Sequence, residues 1–218
     1  MAHLVSFRGS VERWGLFHAI YHGVMRRLRT RLAVCRVHVR PLSSAATSPE
    51  PIEGITVRVP THSELLRGAE QMPDQLEAES IAAALGRGDL CVAAFDGCRM
   101  VAFVWRSFST APYSDWLWVA FEKPYRYGYK AFTRPEYRGR RLQNPIALLT
   151  DELCVERGHG YAIGVVDTHN YPSIASDASR GNRLVGFVGY VKVFGRAYTF
   201  RSLGARKHRF RLYRRSAA

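Results

Sequence analysis

Residues 131–153, AFTRPEYRGRRLQNPIALLTDEL, constrain this chain more than any other stretch. An extended aromatic run ends at Thr133, a turn follows at Arg134-Pro135-Glu136, and a basic loop, Arg138-Gly139-Arg140-Arg141, leads into Ile146, Leu149 and Leu153. Steps of three and four between apolar residues are the helical period. Strand, Gly-containing basic loop and helix start, in that order, build an anion site. The first turn of a helix has N–H groups with no intrahelical partner and the positive end of the dipole. Three arginines beside such a terminus suit a phosphate or pyrophosphate. A basic surface turn has the same spacing, and one glycine does not separate the two readings.

With 218 residues the chain is long enough for one sizeable domain with its own core. An apolar fraction of 47% and 12% aromatics exclude wholesale disorder. Cys35, Cys91, Cys98 and Cys154 are far apart, so neither a zinc site nor a disulfide framework is expected and a reducing compartment fits. No stretch reads as a secretory signal or as the ~18 apolar residues that span a bilayer. The expectation is a cytoplasmic protein, peripheral at a membrane if its basic ends act there.

The net charge of +14 is unevenly placed. Residues 1–42 hold eight arginines against Glu12, residues 201–218 hold seven basic residues and no acid, and residues 43–200 balance 17 against 17. An electrostatic role for the two ends, towards nucleic acid, anionic lipid or an acidic protein, follows.

Ser10 is placed to cap a helix over about 11–31, where Trp14, Phe17, Tyr21, Val24, Leu28 and Leu32 share one face and Arg13, His18, Arg26 and Arg29 lie mostly off it. Such a face can pack on the domain or on a second subunit, or lie in an anionic headgroup layer. Alternation over Val34–Arg40 reads as a half-buried strand, and Pro41–Gly54 as a linker. Ile55–Val59 is a short strand, with Thr61 or Ser63 capping the next helix. A second helix is expected from Pro73 to Leu85, with Leu76, Ile81 and Leu85 inward.

Leu90–Phe95 and Arg99–Trp105 around Asp96-Gly97 predict an antiparallel hairpin. Asp115–Phe121 and Tyr161–Asp167 read as strands, and Pro172 starts a short helix. A terminal hairpin follows over Val188–Val193 and Ala197–Arg201 with its turn at Gly195-Arg196. In the basic tail, His208, Phe210 and Leu212 alternate with Arg209 and Arg211, as in an edge strand. The order implies a mixed α/β (α+β) fold, with a central mostly antiparallel sheet flanked by helices.

The string TRPEYRGRRLQ before a long helix resembles motif A of the GNAT acyltransferase superfamily, in which a Pro-containing turn precedes Q/R-x-x-G-x-G/A. The hairpin at Asp96-Gly97, Asn170 after the strand ending at Asp167, and Gly186-Phe187 resemble further landmarks of that family. The resemblance covers residues 55 to about 202. It divides the chain into a basic amphipathic helix and strand extension (1–41), a linker (42–54) and a GNAT-like acyltransferase domain with a basic C-terminal tail (55–218).

The resemblance implies an N-acyltransferase, most often an N-acetyltransferase, moving an acyl group from acetyl-CoA or another acyl-CoA to an amine by direct attack, without a metal. It carries the pantetheine arm over to Phe132 and Thr133 and the pyrophosphate to Arg138, Gly139, Arg140, Arg141, Leu142, Gln143 and Asn144, with Asn170 beyond them. Two departures stand out. Arg141 and Gln143 occupy positions where glycine or alanine is usual, and counting back from Gly186 to the family's acidic tyrosine lands on Asn182, with neither Tyr171 nor Tyr190 in register. Glu122, Asp167 and His169 are the candidate bases for the acceptor amine; each also suits an ordinary strand-end or loop role. Tyr125, Tyr127 and Tyr129 share a face that fits an acceptor pocket or a plain core.

Two alternatives stay open: an acyl-carrier-protein-dependent transferase making long-chain N-acyl products, and a non-catalytic binding protein on a degenerate acyltransferase fold. The acceptor is a small-molecule or protein amine. An acidic acyl carrier protein suits the basic ends, and an anionic membrane surface suits residues 11–31. Nucleic acid is not expected, because the tail RKHRFRLYRR offers only phosphate contacts.

Overall fold

The protein was analysed as a computed structural model that describes residues 11, 15–28, 30–42 and 52–215. The Ser10 cap, Arg13, Trp14 and Arg29 of the expected first helix, and residues 43–51 of the linker, lie outside the described residues. The chain divides into two compact units, Met1–Val39 with Val165–Ala218, and Arg40–Gly164.

The Arg40–Gly164 unit is built on β2 (Ile55–Arg58), β3 (Leu90–Asp96), β4 (Arg99–Ser107) and β7 (Tyr125–Thr133), neighbours in that order, with the first residues of β8 (Tyr161–Asp167) beside β7. Every pairing is antiparallel except β7 with β8. The expected hairpin forms, with its turn at Gly97-Cys98, one residue beyond Asp96-Gly97, and Asp96 opposite Arg99. β3 and β4 are buried along almost their whole length, which fits strands covered on both faces. On one face, α2 (His62–Gln71) and α3 (Ala78–Gly86) deliver Leu65 and Ile81 onto Phe95, Phe103 and Trp105. On the other, α4 (Gln143–Glu156) sets Ile146 and Cys154 against Val92, Val101 and Val104. A small antiparallel pair, β5 (Thr110–Pro112) and β6 (Leu117–Ala120), replaces the single strand expected at Asp115–Phe121.

Thr61, not Ser63, caps α2. Its hydroxyl accepts from the Glu64 N–H at 3.3 Å, and the Glu64 carboxylate accepts from the Thr61 N–H at 2.8 Å. The next helix starts at Ala78 rather than Pro73, and Leu85, at 39% exposure, faces outward; Leu76 is buried from the turn before the helix.

In the other unit, β1 (Leu32–Pro41), β9 (Arg183–Val193) and β10 (Arg196–Arg201) form an antiparallel set in that order. α1 (Leu16–Leu28) precedes β1, α5 (Tyr171–Ser179) follows β8, and α6 (Leu203–Lys207) and β11 (Arg211–Arg214) close the chain. The α6 backbone lies against β9 so closely that only glycine fits at two places. A Cβ on Gly186 would meet the Ser202 hydroxyl and the Ala205 nitrogen, and one on Gly204 would strike the Val185 carbonyl.

α1 corrects the expected burial. Ala19 and Met25 face inward, while Phe17, Ile20, Val24 and Leu28 are exposed. Of the apolar stripe read from the period, Phe17, Val24 and Leu28 are uncovered, while Tyr21 is held by a polar contact, its hydroxyl 2.8 Å from that of Thr168.

Candidate functional site

β7 pairs with β4 down its length, from Ser107 opposite Tyr127 to Ala102 opposite Thr133. Its other edge pairs with β8 only at Tyr125, Arg126 and Tyr127. From Gly128 to Thr133 that edge has no ladder partner among the described residues. The register of β4 against β7 also slips between Trp105 and Arg106, which leaves Tyr129 as an extra residue in β7 where the β8 pairing stops. A bulge bends and twists its strand, so it is suited to parting neighbouring strands. An open edge offers backbone donors and acceptors to an extended, amide-bearing ligand.

The open edge runs into the basic loop. Arg134 turns the chain, its N–H donating to the Val101 carbonyl at 2.9 Å and its Nε to the Met100 carbonyl at 2.8 Å. A single 3₁₀ turn, Pro135–Tyr137, buries Tyr137, whose hydroxyl donates to Asp96 at 2.6 Å. This bond ties the start of the loop to the hairpin tip. Gly139 and Arg141 then adopt positive φ angles of 84° and 57°. Among the described residues no acceptor takes the backbone N–H groups of Gly139, Arg140, Arg141, Leu142 or Gln143. α4 begins without a side-chain cap or an acidic residue in its first turn. Five amides in succession and the positive end of the helix dipole therefore stand, among the described residues, without a negative group to satisfy them.

The predicted loop residues take different roles. Leu142 is 2% exposed, so its side chain belongs to the core and only its N–H is available. Phe132 packs by its ring towards Phe103, at 5.7 Å between centroids. Arg138 and Arg141 are exposed, and the Arg140 guanidinium lies over the Tyr137 ring at 5.0 Å. Gln143 does not crowd the amides. Its Nε2 donates back to the Phe132 carbonyl at 3.1 Å and the Thr133 hydroxyl at 2.9 Å.

The remaining predicted residues fall in different units. Glu122 is exposed between β6 and β7, where its carbonyl accepts the Tyr125 N–H. In the other unit, at the end of β8, Asp167 accepts a hydrogen bond from the Cys35 thiol at 3.2 Å, and the His169 ring lies 5.5 Å from that of His22. Asn170 caps α5, its Oδ1 accepting from the Ser173 N–H at 3.3 Å. Tyr127 is buried and Tyr129 is tied to buried Asp89 at 3.0 Å, so two of the three alternating tyrosines belong to the core. Burial, then the Asp89 carboxylate, pushes the Tyr129 hydroxyl pKa up, so it stays protonated.

Two groupings escaped sequence reasoning. His38 Nδ1 lies 2.7 Å from Asp177 Oδ2, and Asn182 donates to the other Asp177 oxygen at 3.3 Å; Asn182 is the residue found where the family places a tyrosine. α1, outside the resemblance, brings Tyr21, His22 and His18 beside Thr168, His169 and Tyr171. Burial, with Tyr21 next to it, raises the Tyr171 pKa. The alternation of its strand places His38 with Arg36 and Arg40 on the polar side; it is buried where the register of β1 against β9 shifts between Val37 and His38.

No family model and no curated protein matches this sequence. Solved structures do. A Drosophila protein determined by a structural genomics consortium superposes with a TM-score of 0.52 at 12% identity over 79% of this chain and 58% of its own. A GCN5-related N-acetyltransferase from Sphaerobacter thermophilus gives 0.50 at 14% identity over 88% of this chain and 56% of its own. The chain thus spans less than two thirds of the length of either protein. Such a likeness, together with the mostly antiparallel sheet flanked by helices, gives the chain the fold of the GCN5-related N-acetyltransferases.

Proposed function

We propose that this chain is an N-acyltransferase that takes an acyl group, acetyl first among the candidates, from acyl-CoA and passes it to an amine. The observation that carries the reading is the run of five unsatisfied amides, Gly139 to Gln143, at the end of an open strand edge. The pyrophosphate of coenzyme A is a dianion with several acceptor oxygens, which suits a loop of convergent N–H groups. The pantetheine arm carries two amides on an extended chain and suits the free edge of β7. Arg138 and Arg141 add charge at the rim.

The chemistry asks little of the protein beyond placement. The acceptor nitrogen attacks the thioester carbonyl, a C–N bond forms, the C–S bond breaks, and the amine proton must leave while the departing thiolate gains one. An N–H on the open edge of β7 would polarise the carbonyl oxygen. Glu122, Asp167 and His169 are the groups assigned to the amine proton.

Calorimetric titration with acetyl-CoA, longer acyl-CoAs and free CoA tests the reading. Arg138→Ala and Arg140→Glu are expected to weaken binding by about 1–3 kcal/mol each. Unchanged affinity in both variants would move the pyrophosphate elsewhere. Binding to acylated carrier protein but to no CoA species would change the donor, and binding of CoA without transfer to any amine would leave a non-catalytic binding protein.

A further inference from the structure

The charge of the chain belongs to one unit. Met1–Val39 with Val165–Ala218 holds 18 basic and three acidic residues, whereas Arg40–Gly164 holds 14 and 15. A net +15 therefore sits on the unit that does not contain the amide loop, and no acidic residue follows Asp177.

The same unit exposes its apolar side chains at one hairpin. In the β9–β10 register Tyr198 lies opposite Val191, Arg196 opposite Val193, and Phe200 opposite Gly189. Paired residues share a face and side chains alternate, so Phe187, Val193, Tyr198 and Phe200 are on one side of the sheet. All four are exposed, at 39%, 41%, 55% and 42%. Arg36, opposite Phe187, and Arg196 are on that side too.

The hairpin tip carries Phe194. It is 99% exposed, with φ of 47°, and Gly195 follows at 74°. Two positive φ angles in succession are the signature of a tight hairpin turn whose first position favours Asn. An aromatic residue there costs conformational energy and leaves a full ring in water. Such a residue is retained where its ring has somewhere to go.

We infer that the β9–β10 hairpin docks this protein on an anionic lipid surface, with Phe194 inserted below the headgroups and Arg196 held at phosphate level. The chemistry commits to lipid. A ring projecting from a turn penetrates an interface rather than filling a flat contact, and a face of mixed valines and aromatics bordered by cations matches the acyl–headgroup boundary. Base stacking would use the aromatic rings and leave Val193 unexplained. α1 adds a second surface of the same kind in this unit, with Phe17, Ile20 and Val24 exposed and Arg26 and Arg27 in its last turn. The inference does not depend on acyl transfer.

Sedimentation of the full chain with phosphatidylcholine vesicles, with and without phosphatidylserine, tests it. The expected result is strong binding only with phosphatidylserine, weakened by salt. Phe194→Asn removes the ring and places the favoured residue in the turn, so the fold is kept. It should reduce partitioning about tenfold or more, from the lost burial of one aromatic side chain. Arg196→Gln should reduce it about fivefold. Partitioning of Phe194→Asn equal to wild type, with its unfolding midpoint unchanged or raised, would overturn the insertion. Equal binding to neutral vesicles, or displacement from vesicles by a single-stranded oligonucleotide whose own binding falls in Phe194→Asn, would overturn the lipid assignment.

Discussion

The Gln143 side chain reaches back across the basic loop to donate a hydrogen bond to the Thr133 hydroxyl at 2.9 Å, joining the first residue of α4 to the last residue of β7. The bond holds the two ends of the loop together and turns the Gln143 side chain back towards β7.

Gln143→Ala should therefore loosen the loop without unfolding the protein. Two hydrogen bonds at the half-buried Gln143 amide are lost, a cost of about 1–2 kcal/mol. CoA affinity should fall while the chemical denaturation midpoint moves only slightly, and hydrogen exchange at Gly139–Leu142 should quicken. Tighter CoA binding in this variant would show that Gln143 obstructs the ligand.

Arg141 holds a left-handed backbone, φ 57°, where a β-carbon is unfavourable by about 1 kcal/mol. Arg141→Gly is expected to stabilise the free protein by that amount in urea denaturation. CoA titration of the same variant reads out the guanidinium separately. A stability loss would mean that the Arg141 side chain braces the loop.

Asp151 on α4 is the shared partner of two guanidiniums, at 2.6 Å from Arg126 and 2.5 Å from Arg40. Buried Arg106 stands near this group without an acid of its own, and burial, then the charge of Arg126, depresses its pKa to about 9. Asp151→Asn leaves these cations buried with one formal charge fewer against them. The expected cost is about 3–5 kcal/mol, visible as a lower unfolding midpoint. A change below about 1 kcal/mol would show that solvent already compensates the arginines.

His159 supplies a pH dependence. Its ring packs 4.6 Å from that of Phe108, and burial first, then Lys123 and Arg157, lower its pKa below the ordinary 6.5. The folded state thus binds the proton less readily than the unfolded chain. The contribution to stability is full above pH 6.5 and is lost as pH falls through the folded value. Unfolding free energy should decline below about pH 6.5, and His159→Gln should flatten that slope. An identical slope in the variant would assign the decline to other groups.

Much of the local structure was determined by sequence alone, since it depends on neighbours a few residues apart. Asp96-Gly97 between two β-rich runs fixes a hairpin, and Thr61 with Glu64 three residues on fixes a helix start. Proline, glycine and three arginines before an apolar helical period fix the strand–loop–helix that carries the candidate site. The tertiary structure decided what depends on distant contacts. Phe17, Val24 and Leu28 of the periodic stripe of α1 are exposed, while its Tyr21 is held by Thr168, 147 residues away. β7 is an open edge because β8, reached only after the whole of α4, pairs with three of its residues. The two basic ends lie in one unit because β1 pairs with β9 across about 150 residues of chain. Composition counted those charges; only long-range strand pairing gathered them in one unit.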